Sequence, residues 1–505
     1  MKDDELKYKT ARGSLIMGAV TMLFRPINII GALFLMRLLN PEDFGAVALA
    51  LILLTTSSLF SALGLETAII QSSHDNRKIA FPSFVITMGF ATILFLILNT
   101  NILTFARLLG DEEIVPILRW LSLLILIDAA YAIPAALTRK QLMFGKVGIA
   151  GMLYRITYTT MTLTLAFLGY GVWSLVYANL ISSLIHTVAY FWLSPGWDWI
   201  IPRRWDMKVV RDLLRFGIQS TFSTVLHYLH THVDDWLVGR YLGKQALGYY
   251  SKAYDFSNNT VIQISDNVVG IVFLPSYTQM QHDPDKLTRA YLKSVQLVLL
   301  IVVPLAFGVL AIAPEMVWVL WGAKWAPMIP IMQIFALLLL TRPIASNTIP
   351  LFQALGKPDY NTRNGLVLLV IMIPLVLLFL SQGIAIVAIA IVISHFIGAV
   401  YNMYQVNTIL PGSSKLTIRA ILPPILSGFL MMLVVFAVKA PVQQLIGGQY
   451  NFLGLFLLIG IGGVVFLPFS YLTQKELIME IWNTALSVIG KRFSFIKKTT
   501  PSEAV

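Results

Sequence analysis

The stretch FLMRLLNPEDFGAVALA, residues 34–50, decides the fold because it has a partner in the same chain. From residue 240 to 248 the sequence reads RYLGKQALG; displaced by 203 positions, Arg37 falls on Arg240, Leu39 on Leu242 and Gly45 on Gly248. Each copy sits between two long apolar stretches. A second match supports the first: GVWSLVYANLISSLI (171–185) falls on GIAIVAIAIVISHFI (383–397) at an offset of 212, pairing Gly171 with Gly383, Ala178 with Ala390 and Ser182 with Ser394. Identities among apolar residues arise readily by chance, so the Arg…Gly turn weighs more than the isoleucine matches. Internal repeats of this kind mark transporters, whose binding path runs between the halves.

The rest of the chain agrees with a membrane protein. It is 505 residues long, 57% hydrophobic and only 12% charged, against about 25% charged in a typical soluble domain. So little charge cannot coat a water-facing surface. A span needs roughly 20 apolar residues to cross about 30 Å of hydrocarbon. Fourteen such spans fit: about 13–38, 42–63, 79–101, 114–136, 148–169, 171–193, 212–240, 246–274, 293–312, 326–346, 364–381, 384–406, 420–439 and 452–473. The loops between them are short and leave no room for a soluble nucleotide-binding domain, and no G-x-x-x-x-G-K-[ST] loop occurs. With no cysteine there are no disulfides and no thiolate metal sites. The mixed-charge start, MKDDELKYKTARGS, runs into a full-length span, so the first span is expected to be retained and not cleaved as a signal.

The net charge of +12 is a loop property, not a nucleic-acid footprint. Alternate loops carry the basic residues, including Arg77 and Lys78, Arg139 and Lys140, Lys286 and Arg289, Lys357 and Arg363; with both terminal segments they hold 25 of the 37 Lys and Arg. The opposite loops hold few, among them Arg107, Lys244 and Lys324. By the positive-inside rule both termini are expected in the cytoplasm. Spans one to six then repeat as seven to twelve. Each unit has an even number of spans, so the repeat is parallel, about an axis along the membrane normal. The expected domains are residues 1–205, 206–410, and a C-terminal part, 411–505, with spans thirteen and fourteen.

Ionisable residues inside spans are costly, about 2.5–3.5 kcal/mol on insertion scales, and usually face a cavity or a partner. In span eight, Lys252, Asp255, Asn259, Gln263 and Asp266 step by three and four and share one helix face. In span seven, Ser220, Ser223, His227, His230 and Asp234 do the same. These stripes favour a hydrated cavity over a polar seam between the two helices. Arg25, followed by Pro26 in mid-span one, has a guanidinium able to grip phosphate in a bidentate fork. Asp128 and Arg342 lie deep in spans four and ten at equivalent repeat positions, where they suit either a breakable gate or a static ion pair. Arg119, Arg155 and Arg215, nearer span ends, are expected to snorkel to headgroups. The histidines at 227, 230 and 232 match no metal-ligand spacing, and no metal is expected. Trp197, Trp199, Trp318, Trp321 and Trp325 are expected in an interfacial belt, with MVWVLWGAKW (316–325) as a short interfacial segment.

The run FLMRLLNPEDFGAVALA followed by SALGLETAIIQ (61–71), and VGRYLGKQALGYYSKAYDFSN (238–258) in the second half, resemble the polysaccharide transporter family of the multidrug/oligosaccharidyl-lipid/polysaccharide exporter superfamily, nearest the colanic acid exporter type. The resemblance covers most of the chain, and its most specific element is the R-L-L-x-P-x-D-F-G turn. It implies an all-α integral membrane fold: two pseudo-symmetric six-helix lobes in a V, plus two helices. It also implies a flippase moving undecaprenyl-pyrophosphate-linked oligosaccharide from the cytoplasmic to the outer leaflet of the bacterial inner membrane. Alternating access and a cationic central cavity follow, with Arg25 where the superfamily tends to place a cavity cation. Arg25, Lys252 and Arg342 are the expected phosphate contacts. Asp128, His227, His230, Asp234, Asp255, Asn259 and Asp266 are candidates for lining the cavity or carrying coupling protons or sodium. No cofactor is expected. The expected partners are the lipid-linked oligosaccharide, membrane lipids, and polysaccharide polymerase or export machinery. The alternatives are a cation-coupled multidrug exporter of the same superfamily, or a membrane glycan polymerase or ligase. The polymerase reading is disfavoured because such enzymes commonly need a large outer loop.

Overall fold

The computed structural model describes residues 30–201, 205–259, 273–448, 450–480 and 483. These residues are helical throughout, with no strand among them. Among the described residues ten helices are long and apolar enough to cross a membrane, and they coincide with expected spans two to four, six and nine to fourteen. The other four expected spans stand differently. Span one lies mostly outside the described residues. Span five is the helix Phe144–Phe167. Spans seven and eight run together as Met207–Tyr254, broken at Gly243 by a non-helical φ of 88°. Histidines and acids, among them His227, His230, Asp234 and Asp235, make this helix more polar than the other ten.

Contacts divide the chain into two compact units. The first holds residues 1–252, 320–327 and 373–387; the second holds 253–319, 328–372 and 388–505.

In the first unit, α1 (Pro41–Ser61) starts where the sequence signals it. Asn40 donates its backbone N–H to the Asp43 carboxylate at 2.8 Å, and Pro41 takes the first helical position, where its missing N–H costs nothing. The helix ends in a left-handed turn at Leu63 and Gly64, and α2 (Leu65–Gln71) follows. Next come α3 (Asn76–Thr100), α4 (Ile102–Leu109), α5 (Val115–Leu121), α6 (Leu123–Lys140), α7 (Phe144–Phe167), α8 (Val172–Leu193) and α9 (Met207–Tyr254). Leu65, Ile69, Ile79, Ile133, Leu137 and Trp199 form the core at the basic-loop end.

Helix α1 and the turn that follows it pack closely against α9 through glycines. A Cβ on Gly64 would lie 2.1 Å from the Gly217 carbonyl, and one on Gly217 would lie 2.2 Å from the Leu63 carbonyl. Further along, a Cβ on Gly239 would strike Leu49 at 2.4 Å. At the opposite end a Cβ on Gly45 would come 1.7 Å from the Lys244 carbonyl, and one on Gly248 would come 1.9 Å from the Pro41 carbonyl. Lys244 is the repeat equivalent of Pro41, so each glycine of the matched pair meets the helix start of the other half. Small residues permit this backbone approach, which drives helix association in lipid by packing and not by hydrophobicity.

The loops complete this rim. Lys324 donates to the carbonyls of Arg37 and Leu39, both at 2.7 Å, and Arg37 donates to the Leu320 carbonyl at 2.7 Å. Lys244 pairs with Glu113 and, at 3.3 Å, with Asp111. Trp325, expected at a membrane interface, is instead fully buried; its indole N–H donates to the Met36 carbonyl at 2.6 Å and its ring packs against Phe44 and Tyr249. Trp199 and Trp321 are also buried, whereas Trp197 and Trp318 are exposed as a belt requires. Composition alone could not separate these cases, because an indole serves equally to close a turn or to meet headgroups.

In the second unit, α10 (Leu274–Met280) precedes the long α11 (Pro284–Leu320). The tenth span is broken into α12 (Met328–Leu338), a 3₁₀ turn at Leu339–Thr341 and α13 (Arg342–Ala354). Then come α14 (Asp359–Phe379), α15 (Ile384–Ile409), α16 (Ser413–Ile446) and α17 (Phe452–Thr473). A buried ion pair ties α16 to α11: Glu315 receives Lys439 at 2.9 Å and Gln443 at 2.8 Å. Gly428 of α16 leaves room for Val303 and Phe307 of α11, which a Cβ would meet at 2.4 and 2.5 Å.

Candidate functional site

The first unit encloses a cavity of about 380 Å³ built from four of its helices. Helix α1 contributes Leu51, Leu54, Thr55 and Ser58; α6 contributes Leu124, Asp128 and Tyr131. Tyr154 enters from α7, and Asn179, Ser183 and His186 from α8. Asp128 and Tyr131 are one turn apart, and Asn179, Ser183 and His186 step by four and three, so each set shares one helix face. Among the described residues no Lys or Arg lines the cavity. Arg139, further along α6, is held by Glu66 of α2.

One wall is aromatic and rigid. The His186 ring lies 4.8 Å from Tyr131, 5.3 Å from Tyr154 and 4.8 Å from Tyr190, centroid to centroid, and Tyr131 stacks on Tyr190 at 5.7 Å. Contacts on several sides fix the rotamers of these rings. The polar wall is part-committed: Asn179 donates one amide hydrogen to the Leu175 carbonyl at 2.9 Å. An amide carries two donors and an acceptor, which leaves hydrogen-bonding capacity for a guest.

Of the residues singled out in the sequence, Asp128 lies in this cavity. Asp234 is buried in α9; its Oδ2 accepts from the Tyr250 hydroxyl at 2.6 Å, and its Oδ1 has no hydrogen-bond partner among the described residues. His227 and His230 stand 6.4 Å apart, ring to ring, and His232 pairs with Asp235 at 3.0 Å. Among the described residues no group of His, Asp and Glu is arranged to hold a metal. Lys252 sits with its ammonium 4.8 Å from the Phe44 ring centroid, beside the rim. Asp255 opens a π-helical turn, Asp255–Asn259, so the 3.6-residue register assumed for the span-eight stripe does not continue through it. Nothing is described of the Asn259 side chain, and Arg25, Gln263 and Asp266 lie outside the described residues. Arg342 begins α13 at the break in the tenth span, in the second unit, and its Nε is buried with no hydrogen-bond partner among the described residues. Arg119, Arg155 and Arg215 are exposed, as snorkelling requires.

The sequence reading missed Tyr131, Tyr154, Asn179, Ser183 and His186. The stepped polar face of α8 was visible in the sequence, but without a formal charge it did not stand out from ordinary serines in an apolar helix.

Electrostatics at the rim is clearer, because these groups stand outside the spans. The hydrogen bond from Lys244 to Glu113 raises the Lys244 ammonium above the ordinary lysine range, with Asp111 adding to it. Burial lowers that of Lys324.

Comparison with known proteins fits this picture. The succinoglycan biosynthesis transport protein ExoT of Rhizobium meliloti is 28% identical over 64% of this chain and 65% of its own length. The chain thus spans just under two thirds of that relative. The lipopolysaccharide biosynthesis protein WzxC of Escherichia coli is 21% identical over 71% of this chain and 72% of its own. The probable low-salt glycan biosynthesis flippase Agl15 of Haloferax volcanii is 22% identical over 79% and 84%. Among solved structures, the lipid II flippase MurJ in an inward closed conformation superposes with a TM-score of 0.73 at 18% identity, covering 92% of this chain and all of MurJ. An inward-facing multidrug resistance transporter of the MATE family, in the MOP superfamily, gives a TM-score of 0.61 at 16% identity, over 79% of this chain and 99% of its own. These two likenesses show that the chain shares its fold with MurJ and with that MATE transporter. The model of the family described as "Polysaccharide biosynthesis protein" matches residues 34–330, more than half of the chain, and the chain belongs to that family.

Proposed function

We propose that this chain is a flippase of surface-polysaccharide biosynthesis. It moves polyprenyl-pyrophosphate-linked oligosaccharide units from the cytoplasmic to the outer leaflet of the cytoplasmic membrane by alternating access, with both termini in the cytoplasm. The observation that carries this reading is the polar, aromatic-walled cavity inside a bundle whose outer surface is apolar, in a chain of the polysaccharide biosynthesis family. A glycan needs a wet passage, whereas its polyprenyl tail can stay in lipid. The basic loops support the orientation. Arg25, Lys252 and Arg342 are proposed as contacts for the pyrophosphate, each by its own charge. Asp128, Asp234, Asp255 and Asp266 are proposed to balance those charges or to carry coupling protons or sodium, His227, His230 and Asn259 to line the passage. The lobes are proposed as residues 1–205 and 206–410, with spans thirteen and fourteen appended. Polymerase and export machinery are the proposed partners downstream.

The test is leaflet accessibility. Liposomes containing the purified chain and an undecaprenyl-pyrophosphate-linked oligosaccharide are treated with a glycan-modifying enzyme added outside. Wild-type protein should expose the inner-leaflet pool, and Arg25→Ala should slow that exposure at least tenfold. Failure to flip any lipid-linked glycan refutes the proposal. The likeness to a multidrug transporter and the lone carboxylate of Asp128 support a second reading, export of organic cations. Efflux of ethidium by the same liposomes, with no glycan flipping, would select it.

A further inference from the structure

We propose that the cavity of the first unit is a subsite for one uncharged sugar ring of the transported glycan. The inference rests on the flippase reading and adds where and how the glycan is gripped.

The chemistry of the lining excludes the other parts of the substrate. A pyrophosphate needs cations or a dense array of N–H donors, and among the described residues no Lys or Arg lines the cavity. A polyprenyl chain would offer the polar groups of Asp128, Asn179 and Ser183 no hydrogen bond. A pyranose satisfies both kinds of wall. Its hydroxyls donate to the Asp128 carboxylate and exchange hydrogen bonds with the Asn179 amide, Ser58 and Ser183. Its C–H face buries against the rings of Tyr131 and Tyr154, whose bodies are apolar and whose hydroxyls remain polar. The volume of about 380 Å³ falls within the roughly 300–1,000 Å³ of small-molecule sites, near the lower end. One ring fits the space better than a whole repeat unit.

The wall is also built before the ligand arrives. His186 is packed by three tyrosines at 4.8–5.3 Å. Asn179 is anchored to its own helix through Leu175. A site with fixed rotamers spends little entropy on binding. Among the described residues, all the polar contributors sit on the first unit's own helices.

The experiment compares two probes on the full-length, reconstituted chain: undecaprenyl pyrophosphate alone, and the same lipid bearing a single neutral hexose. Wild type should bind the hexose-bearing lipid about tenfold or more tighter, the worth of one or two well-placed hydrogen bonds. Asn179→Leu and Tyr131→Leu should each reduce that ratio towards one while leaving affinity for the bare lipid unchanged. Unchanged bare-lipid affinity also reports that the variants are folded. Tyr131→Phe, which keeps the ring, should retain most of the ratio. Equal binding of both probes by wild type overturns the subsite yet leaves the flippase reading standing. So does a pair of leucine variants that keep the ratio but lose sodium or pH dependence of flipping, which would make the cavity an ion site. Intact discrimination without flipping would instead remove the flippase reading.

Discussion

Replacing Gly45 by alanine tests the rim at its tightest point. The added Cβ would lie 1.7 Å from the Lys244 carbonyl, 2.6 Å from its carbon and 3.0 Å from the Gly248 nitrogen, where ordinary contact begins at 3.4 Å. The obstacle is backbone, so no side-chain rotation relieves it. The two helices must part by more than an ångström. Overpacking of this kind costs about 1–3 kcal/mol, and alanine returns up to about 1 kcal/mol of helix propensity. The expected net loss is about 1–2 kcal/mol. Gly248→Ala should cost a similar amount, since its Cβ meets the Pro41 carbonyl at 1.9 Å. Both substitutions force the same two backbones apart, so the double variant should lose less than the sum, by at least about 0.5 kcal/mol. Thermal unfolding in detergent, followed by tryptophan fluorescence, measures all four proteins. Wild-type stability in either single variant, or strict additivity in the double, would refute the shared-contact argument.

Other perturbations have equally definite outcomes. Lys439→Ala leaves the buried Glu315 carboxylate with only Gln443 (Lys439 reached it at 2.9 Å) and should cost about 3–5 kcal/mol; the double variant Glu315→Gln/Lys439→Ala should recover part of this in the same unfolding assay. Trp325→Phe deletes the hydrogen bond to the Met36 carbonyl and should lower stability by about 1–2 kcal/mol, the carbonyl being left buried; an unchanged melting curve would return Trp325 to the membrane interface. Lys244 is held above the ordinary lysine range by Glu113, so the contribution of its pairing with Glu113 and Asp111 is fully present below that range and is lost only as pH rises through the raised value. Lys244→Met should therefore be less stable than wild type by a constant amount from neutral to mildly alkaline pH, with the difference shrinking only above about pH 10.5.

Particular residues show how much of this was legible. The turn at 37–45 announced itself through Arg37, Pro41 and Gly45, because a duplicated turn keeps its helix start and its glycine while apolar neighbours drift. That Gly45 faces the Lys244 carbonyl was not legible, because it needs the tertiary arrangement. The cavity was hidden for a different reason. Its wall is shared among α1, α6, α7 and α8, and on any one of them a tyrosine or serine looks unremarkable. The charged stripes of spans seven and eight drew attention instead, and part of that charge is spent locally, on Tyr250 for Asp234 and on Asp235 for His232. The register of the span-eight stripe was read with 3.6-residue periodicity, which the π turn at 255–259 interrupts.

The reciprocal meeting of Gly45 with Lys244 and of Gly248 with Pro41 has the form of an isologous interface, the kind a two-fold homodimer makes. Here both faces belong to one chain. Residues at this surface are therefore coupled to their images 203 positions away, and a substitution tolerated at one is constrained by what stands at the other. Separately expressed halves would have this surface as their natural point of reunion.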